Sequence, residues 1–296
     1  MDISGLSGVF APMTTPFKDD EVDYEGLARN VDKMNATGLK GYFVLGTNGE
    51  FKALSIEERF RILDIVVRKA AKDKVIMAGC GAESTRETID LVKRAADTGA
   101  TMASILMPCF FAKKMTDEIQ ERHAYEVADA SPIPIVLYNN PSVNAGVTIR
   151  LPLALRLAAH PNIAGVKDSS KETYVENLGA ASEKFHIMAG SASYFLDLMK
   201  KGGSGGVLSL ANVFPEQCAM LYRAIKAGRG AEVEELNTKL IALNTKVSGA
   251  FGVAGVKAAM DMMGFAGGLP RRPYKGLSDA DKAMLRIDLE HSGFLG

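Results

Sequence analysis

One lysine follows an apolar run, in a position where its amine could bond covalently to a substrate. The run is Ile163 to Val166, the lysine is Lys167, and Asp168 and two serines follow. The run has the composition of a buried strand, and the two serines are typical of a helix start. An amine at the end of a buried strand is partly desolvated, which lowers its pKa and lets it form a Schiff base with a carbonyl. The alternative is a lysine on an exposed loop, where most lysines lie.

A tyrosine and a glycine-rich loop are the next candidates. Tyr138 ends the apolar run Ile135–Tyr138, where its hydroxyl can deliver a proton, or where it can simply pack beneath the turn at Pro141. The loop Gly46-Thr47-Asn48-Gly49-Glu50 follows another apolar run. Its glycines let the backbone approach a ligand closely, so its N–H groups and the Thr47 hydroxyl could bind a carboxylate. The alternative is an ordinary glycine turn.

Two further apolar runs end beside polar residues, at Ser191 and at Asn212. Asn212 could bind substrate or cap the next helix. A lysine and a tyrosine on neighbouring strand ends, facing a glycine-rich anion loop, suit Schiff-base chemistry on a 2-oxo acid. The imine draws electrons from the adjacent carbon, the tyrosine moves the proton, and the loop holds the carboxylate.

These candidates fall at the ends of short apolar runs that alternate with amphipathic stretches. The apolar runs predict strands at residues 8–12, 41–45, 75–79, 103–107, 135–138, 163–167, 186–189 and 206–210. The intervening stretches predict helices at 24–36, 55–71, 116–130, 151–159, 172–183, 193–200 and 215–227, and another opening at 84. Asp23 is the expected cap of the first helix, and capping boxes at 55–58 and 84–87 mark two more starts.

Eight strand–helix units with continuous apolar strands imply a parallel sheet covered on both faces, and we predict a (β/α)8 TIM barrel. The doubly wound α/β fold is the alternative, and it usually carries a dinucleotide fingerprint. The nearest sequence is Gly79–Ser84, whose sixth position is Ser, so we do not expect a nucleotide site. The run Gly202–Gly206 is interpreted as a tight helix-to-strand turn.

The remaining residues predict a helical extension after the barrel. Helices are expected over Glu232–Ser248, Val253–Met263 and Ser278–Glu290, with Ser278 as the cap of the last. We therefore place the barrel domain at residues 1–228 and the three-helix extension at 229–296.

The composition argues against several classes of protein. The 296 residues include 35 basic and 35 acidic side chains, so no net charge favours nucleic-acid binding. No apolar run reaches membrane-spanning length, and the N-terminus does not resemble a secretion leader, so we expect a cytoplasmic protein. Three scattered cysteines and four scattered histidines form neither a disulfide framework nor a zinc-ligand pattern. We expect a mechanism that needs no metal and no cofactor.

Several motifs occur together in a fixed order. They are GTNGE at 46–50, YNNP at 138–141, GVKD at 165–168, AGSAS at 189–193 and GGVLSLANVFP at 205–215. Together they resemble the dihydrodipicolinate synthase / N-acetylneuraminate lyase superfamily essentially end to end. The resemblance implies a TIM barrel with three extra helices, pyruvate-type Schiff-base lyase chemistry, and a homotetramer built as a dimer of dimers. By motif position it makes Lys167 the Schiff-base lysine and Tyr138 the proton-transfer tyrosine, and it puts Thr47, Asn48 and Gly49 in the carboxylate-binding loop.

Three departures from the family pattern bear on the substrate. Asn48 stands where a second threonine often relays protons, and Phe110 stands where a tyrosine, often given to the neighbouring subunit, is usual. Val143 stands where the synthase has an arginine that grips its aldehyde substrate's carboxylate. Because a phenyl ring carries no proton, a water or another hydroxyl has to take its place, and our hypothesis is the hydroxyl of Ser191. The GxNGE loop, the CGAEST stretch and the Pro-Cys-aromatic-aromatic run at 108–111 look more like the 4-hydroxy-2-oxoglutarate aldolase group. Phe110 departs from that group too, because a tyrosine is usual there.

The function predicted from the sequence is a class I aldolase or lyase that acts on a 2-oxo acid through an imine on Lys167, with pyruvate as the common fragment. A dehydratase of 3-deoxy-2-oxo sugar acids needs the same imine, and dihydrodipicolinate synthase is a third reading. A non-catalytic 2-oxo acid sensor is the rival from another class. Retention of both Lys167 and Tyr138 argues against it, because binding alone needs neither.

Overall fold

The structure is a computed structural model that describes residues 4–294. Its strands are β1 (Gly8–Pro12), β2 (Phe17–Lys18), β3 (Glu21–Val22), β4 (Gly41–Val44), β5 (Val75–Gly79), β6 (Met102–Leu106), β7 (Ile135–Asn139), β8 (Ile163–Asp168), β9 (His186–Ala189) and β10 (Gly205–Val207). Its α-helices are α1 (Tyr24–Asn35), α2 (Ile56–Lys69), α3 (Thr85–Thr98), α4 (Asp117–Ala130), α5 (Leu151–Leu157), α6 (Tyr174–Asn177), α7 (Phe195–Lys200), α8 (Pro215–Lys226), α9 (Gly230–Asn244), α10 (Ala250–Met262) and α11 (Asp279–Glu290).

Eight of the strands form a closed barrel, in the order β1-β10-β9-β8-β7-β6-β5-β4. The predicted (β/α)8 barrel is confirmed, and so is the C-terminal helical extension, which is formed by α9, α10 and α11. The strands β2 and β3 pair separately as an antiparallel hairpin that the sequence analysis did not predict.

The helix starts follow the capping signals in the sequence. Asp23 accepts a hydrogen bond from the Gly26 amide at the start of α1. Ser55 forms the reciprocal capping box with Glu58 that opens α2. At α3 only one half of the predicted box is present among the described residues, a bond from the Glu87 amide to the Ser84 hydroxyl.

Two predicted elements are wrong in extent. The helix expected over 172–183 is only the four-residue α6, followed by a 3-10 turn at Leu178–Ala180, and the serines at 169 and 170 do not start it. Local side chains explain this, because Thr173 and Asn177 bind the carboxylate of Asp168. The eighth barrel strand, expected over 206–210, ends at Val207 because residues 209–212 turn into a 3-10 helix.

The contacts within the chain define two compact units, one made of residues 1–8 and 75–207 and the other of residues 9–74 and 208–296. We call these the first and the second unit. The first carries five parallel strand pairs from β5 to β10, and the second carries the parallel pair of β1 and β4. The domain boundary at residue 228 stays a prediction. Within residues 4–294, no helix is long and apolar enough to cross a membrane.

Candidate active site

Lys167 and Tyr138 lie side by side at the carboxyl ends of β8 and β7. The two strands are in register there, with Tyr138 opposite Lys167. The Lys167 Nζ is 3.8 Å from the centroid of the tyrosine ring, and only 4% of Lys167 is exposed. The reading of Lys167 as an exposed loop residue is therefore wrong, and the predicted placement at the end of a buried strand is confirmed.

A glycine two residues earlier allows this arrangement. Gly165 has φ +154°, and a Cβ at this position would lie 2.1 Å from the carbonyl oxygen of His186 on β9. No larger residue fits there without separating the two strands. Gly165 therefore permits the close β8–β9 pairing in which Lys167 is held.

The surroundings of Lys167 favour a reactive amine. Burial lowers the pKa of its ammonium group, and the nearby Tyr138 hydroxyl opposes this by charge and hydrogen bonding. Burial is the larger effect, so a greater share of the amine is neutral at physiological pH than for a lysine in water. A neutral amine is the form that attacks a carbonyl.

The hydroxyl of Tyr138 has an ordered donor. The Asn140 amide nitrogen donates a hydrogen bond to it at 2.8 Å, and Ser142 Oγ donates to the other end of that amide at 2.7 Å. The second bond fixes which way the amide of Asn140 points. A donor aimed at the tyrosine oxygen would stabilise a negative charge on it.

A buried carboxylate ties together the elements that follow the two strands. Asp168 is fully buried and accepts hydrogen bonds from the side chains of Asn139, Thr173 and Asn177 and from the backbone amide of Ser170. Burial raises the pKa of this carboxyl, and the four donors oppose the rise. Because Asn139 follows Tyr138 and Asp168 follows Lys167, the network locks the ends of β7 and β8 together.

Phe110 and Ser191 also belong to the first unit. Phe110 lies on the loop after β6 with 79% of its surface exposed, and its ring meets that of Phe111 edge to face at 4.9 Å. The carboxylate of Glu83 accepts the backbone N–H groups of Cys109 and Phe110 at 2.9 and 2.8 Å, which shapes this loop. The hydroxyl of Ser191 binds both the amide and the hydroxyl of Ser193 in the turn after β9.

The glycine-rich loop and Asn212 belong to the second unit. The loop after β4 folds as two successive turns, with bonds from the Gly49 amide to the Gly46 carbonyl and from the Glu50 amide to the Thr47 carbonyl. The side-chain nitrogen of Asn48 is buried and has no hydrogen-bond partner among the described residues. That nitrogen is a donor available to a ligand.

One of the two roles predicted for Asn212, capping the following helix, is wrong. The cap position of α8 is Phe214, and Asn212 ends the preceding 3-10 turn. Its amide nitrogen donates to the carbonyls of Pro12 and Ser209, both at 3.0 Å, and the residue is fully buried. The substrate-binding role of Asn212 stays a prediction.

Comparison with known proteins decides the family. The model of the dihydrodipicolinate synthetase family matches residues 5–292. The chain belongs to this family.

Relatives of the chain in this family carry the name of a synthase or of a lyase. A 4-hydroxy-tetrahydrodipicolinate synthase from Methanothrix thermoacetophila is 35% identical over 94% of both chains. An uncharacterized DapA-like lyase from Halobacterium salinarum is 35% identical over 99% of this chain and 96% of its own. The crystal structure of the chloride-inhibited dihydrodipicolinate synthase from Acinetobacter baumannii with pyruvate superposes with a TM-score of 0.90, at 30% identity over 98% of this chain and all of that one. The protein is a lyase of the dihydrodipicolinate synthetase family.

Several residues around this lyase's candidate site were missed in the sequence. Asn139, Asn140 and Asp168 directly follow Tyr138 and Lys167, so polar residues immediately after a strand-end candidate were the available signal. Glu83 lies in the CGAEST stretch, which was noted only as a subgroup marker. Among residues 4–294, no group of three or more His, Cys, Asp or Glu side chains is arranged to hold a metal ion.

Proposed function

We propose that the protein is a class I lyase that forms an imine between Lys167 and a 2-oxo acid, with pyruvate as the common fragment and 4-hydroxy-2-oxoglutarate aldolase-like activity. The observation that carries the proposal is the buried Lys167 amine held 3.8 Å from the Tyr138 ring. Burying a charged amine is costly, and burial therefore favours its neutral form. The lowered pKa of Lys167 gives it the nucleophilic form that an imine mechanism needs.

The proposed reaction conserves all atoms and protons. The neutral Lys167 amine adds to the C2 carbonyl of the substrate, and the carbinolamine takes the Tyr138 proton and loses water, which gives a protonated imine and the Tyr138 phenolate. The imine accepts the electron pair of the C3–C4 bond when that bond of a 4-hydroxy-2-oxo acid breaks, while the Tyr138 oxygen receives the C4 hydroxyl proton. An aldehyde leaves, and the enamine is protonated and hydrolysed to pyruvate.

We further propose that the loop of residues 46–50 binds the substrate carboxylate. The support is the unpaired, buried Asn48 amide nitrogen and a turn whose glycines leave the backbone accessible. An amide donor can bind an anion but cannot pass on a proton as a threonine hydroxyl does. Asn48 therefore fits binding better than proton relay.

The synthase is the second candidate, because relatives at 35% identity carry that name. Val143, which stands at the position of the family's aldehyde-gripping arginine, is apolar and 48% exposed, and it offers no charge to a second carboxylate. A dehydratase of 3-deoxy-2-oxo sugar acids would use the same imine. Because 4-hydroxy-2-oxoglutarate also has a second carboxylate, Val143 does not separate the two reactions, and we favour the aldolase on the GxNGE loop and the CGAEST stretch.

Borohydride trapping tests the imine directly. The protein is incubated with pyruvate and sodium borohydride, and the modified peptide is identified by mass spectrometry. We expect a reduced pyruvyl adduct on Lys167, none in Lys167→Met, and full labelling in the matched control Lys171→Met, which removes an exposed lysine four residues later. A folded wild-type protein that gives no adduct in excess pyruvate would contradict the proposal and favour the 2-oxo acid sensor.

Substrate assays then separate the lyase subclasses. We expect release of pyruvate from 4-hydroxy-2-oxoglutarate, measured with a coupled lactate dehydrogenase assay. In the same preparation, Ser191→Ala tests whether that hydroxyl replaces the relay tyrosine, and Ser193→Ala is its control. Unchanged turnover in Ser191→Ala would contradict the relay hypothesis without affecting the imine.

A further inference from the structure

A second lysine of the chain is completely buried, and the imine mechanism does not use it. Lys257 lies in α10 of the C-terminal extension with none of its surface exposed. Its Nζ forms an ion pair with Glu50 at 2.5 Å, donates to the Leu269 carbonyl at 2.8 Å, and lies 4.4 Å from the centroid of the Phe17 ring. Burial lowers the pKa of Lys257, and the Glu50 carboxylate opposes this.

The partner of Lys257 is the last residue of the glycine-rich loop. Glu50 has φ 52°, a left-handed conformation that is uncommon for a residue with a side chain, and its amide closes the turn on Thr47. Its second carboxylate oxygen accepts the Arg271 amide at 2.9 Å. The C-terminal extension therefore holds both oxygens of Glu50, and Glu50 ends the turn that carries Thr47 and Asn48.

Arg271, which donates to Glu50, is itself held in place by α2. The Arg271 guanidinium makes two 2.7 Å bonds to the carboxylate of Glu58 in α2. Thr15 also holds the loop next to Glu50, by donating to the Gly49 carbonyl at 2.8 Å. The loop is thus held by Thr15, by Arg271 with Glu58 of α2, and by Lys257 of α10, all in the second unit, and the Lys257 contact is a completely buried charge.

A buried ion pair is a poor way to gain stability, since apolar side chains of the same volume usually do as well or better. It is a good way to fix geometry, because each charge needs its partner in one place. We propose that Lys257 is a positioning residue: through Glu50 it holds the loop of residues 46–49 in the conformation that binds the substrate carboxylate. This rests on the proposed imine function, and it gives the C-terminal extension a direct part in substrate selection.

The test compares two carbonyl compounds that differ in the carboxylate. Pyruvate and hydroxyacetone both present a methyl ketone, but hydroxyacetone has no charge for the loop to bind. The fraction of Lys167 peptide reduced by borohydride is measured against the concentration of each. In Lys257→Met and in Glu50→Gln we expect the pyruvate concentration for half-labelling to rise about tenfold or more, since small displacements of a binding group cost this much. In the same two variants we expect the hydroxyacetone concentration for half-labelling to stay within about twofold of the wild-type value, because this compound has no carboxylate for the loop to bind.

Two further variants keep the test decisive. The double variant Glu50→Gln/Lys257→Met leaves no unpaired buried charge and is expected to fold, with the same loss of preference for pyruvate. The matched control is Lys74→Met, which removes another buried lysine of the same unit, bonded to the carbonyls of Thr37 and Leu39. Lys74→Met is expected to lower the melting temperature and to keep the wild-type preference for pyruvate over hydroxyacetone.

The outcomes separate this inference from the function on which it rests. If wild-type Lys167 is not labelled by pyruvate, the imine function fails first. If wild-type is labelled and the folded double variant keeps the full preference for pyruvate over hydroxyacetone, Lys257 serves only stability and the inference is overturned. An equal loss of labelling by both compounds would overturn it as well, because the defect would then lie at Lys167 and not in carboxylate binding.

Discussion

The buried lysines Lys167 and Lys257 show how the neighbouring atoms set what an amine can do. Lys167 faces the Tyr138 ring and hydroxyl, which offset only part of the cost of burying its charge, so burial lowers its pKa and shifts it toward the neutral form. Lys257 faces a carboxylate, a carbonyl oxygen and the face of an aromatic ring, all of which favour its charged form. The first surroundings suit a nucleophile, and the second suit a fixed cation.

His123 gives a residue-scale prediction about pH. Its Nδ1 lies 2.9 Å from the Thr85 hydroxyl, and burial lowers the pKa of the imidazole to about 4, with Glu83 opposing. An unfolded histidine takes up a proton near pH 6.5, which the folded protein resists. The contribution of His123 is therefore fully present above pH 6.5, and it is lost between pH 6.5 and pH 4 at a cost of roughly 3 kcal/mol.

Urea unfolding at pH 7, 6 and 5 measures this loss. We expect the free energy of unfolding of His123→Gln to decrease less between pH 7 and pH 5 than that of the wild type, because glutamine cannot take up the proton. The control His291→Gln, at an exposed position after α11, is expected to keep the wild-type slope. Parallel curves for wild type and His123→Gln would show that another group causes the acid sensitivity.

At the scale of elements, the Asp168 network leads to a prediction about stability and turnover together. Asp168→Ala leaves the buried donors of Asn139, Thr173 and Asn177 without their acceptor, which we expect to cost about 2–4 kcal/mol of unfolding free energy. Turnover is expected to fall as well, since the ends of β7 and β8 lose their cross-link. Chemical unfolding and steady-state kinetics measure the two effects, with the exposed Asp90→Ala in α3 as control. An unchanged kcat at saturating substrate in Asp168→Ala would show that the network serves stability alone.

The same network explains which elements could be predicted. Strands such as β5 and helices such as α2 follow local signals, an apolar run or a capping box, and their prediction is confirmed. The helix expected at 172–183 was wrong in extent, because the side chains of Thr173 and Asn177 bind the carboxylate of Asp168. Periodicity records which residues are apolar and carries no information on such polar contacts.

For the whole molecule, contacts between residues far apart in the sequence limit how much of the candidate site could be predicted. Lys167 and Tyr138 were found because each ends an apolar run, and barrel strands bring such ends together. The partnership of Glu50 with Lys257 was missed, because Glu50 lies in the glycine-rich loop and Lys257 in a predicted helix about 200 residues later, and nothing in either segment indicates the other. Only the folded second unit reveals that pair.

The last prediction concerns assembly. We expect a homotetramer, with the exposed aromatic pair Phe110 and Phe111 covered by another subunit, since 79% and 71% of their surfaces are exposed in the single chain. Light scattering after size-exclusion chromatography gives the mass in solution. Phe110→Ser/Phe111→Ser is expected to lower it, while the control Leu155→Ser/Met284→Ser, which changes two other exposed apolar residues, is expected to leave it unchanged. A wild-type monomer would contradict the tetramer. A tetramer that persists in the aromatic double variant would place the interface elsewhere and leave Phe110 exposed on the loop after β6.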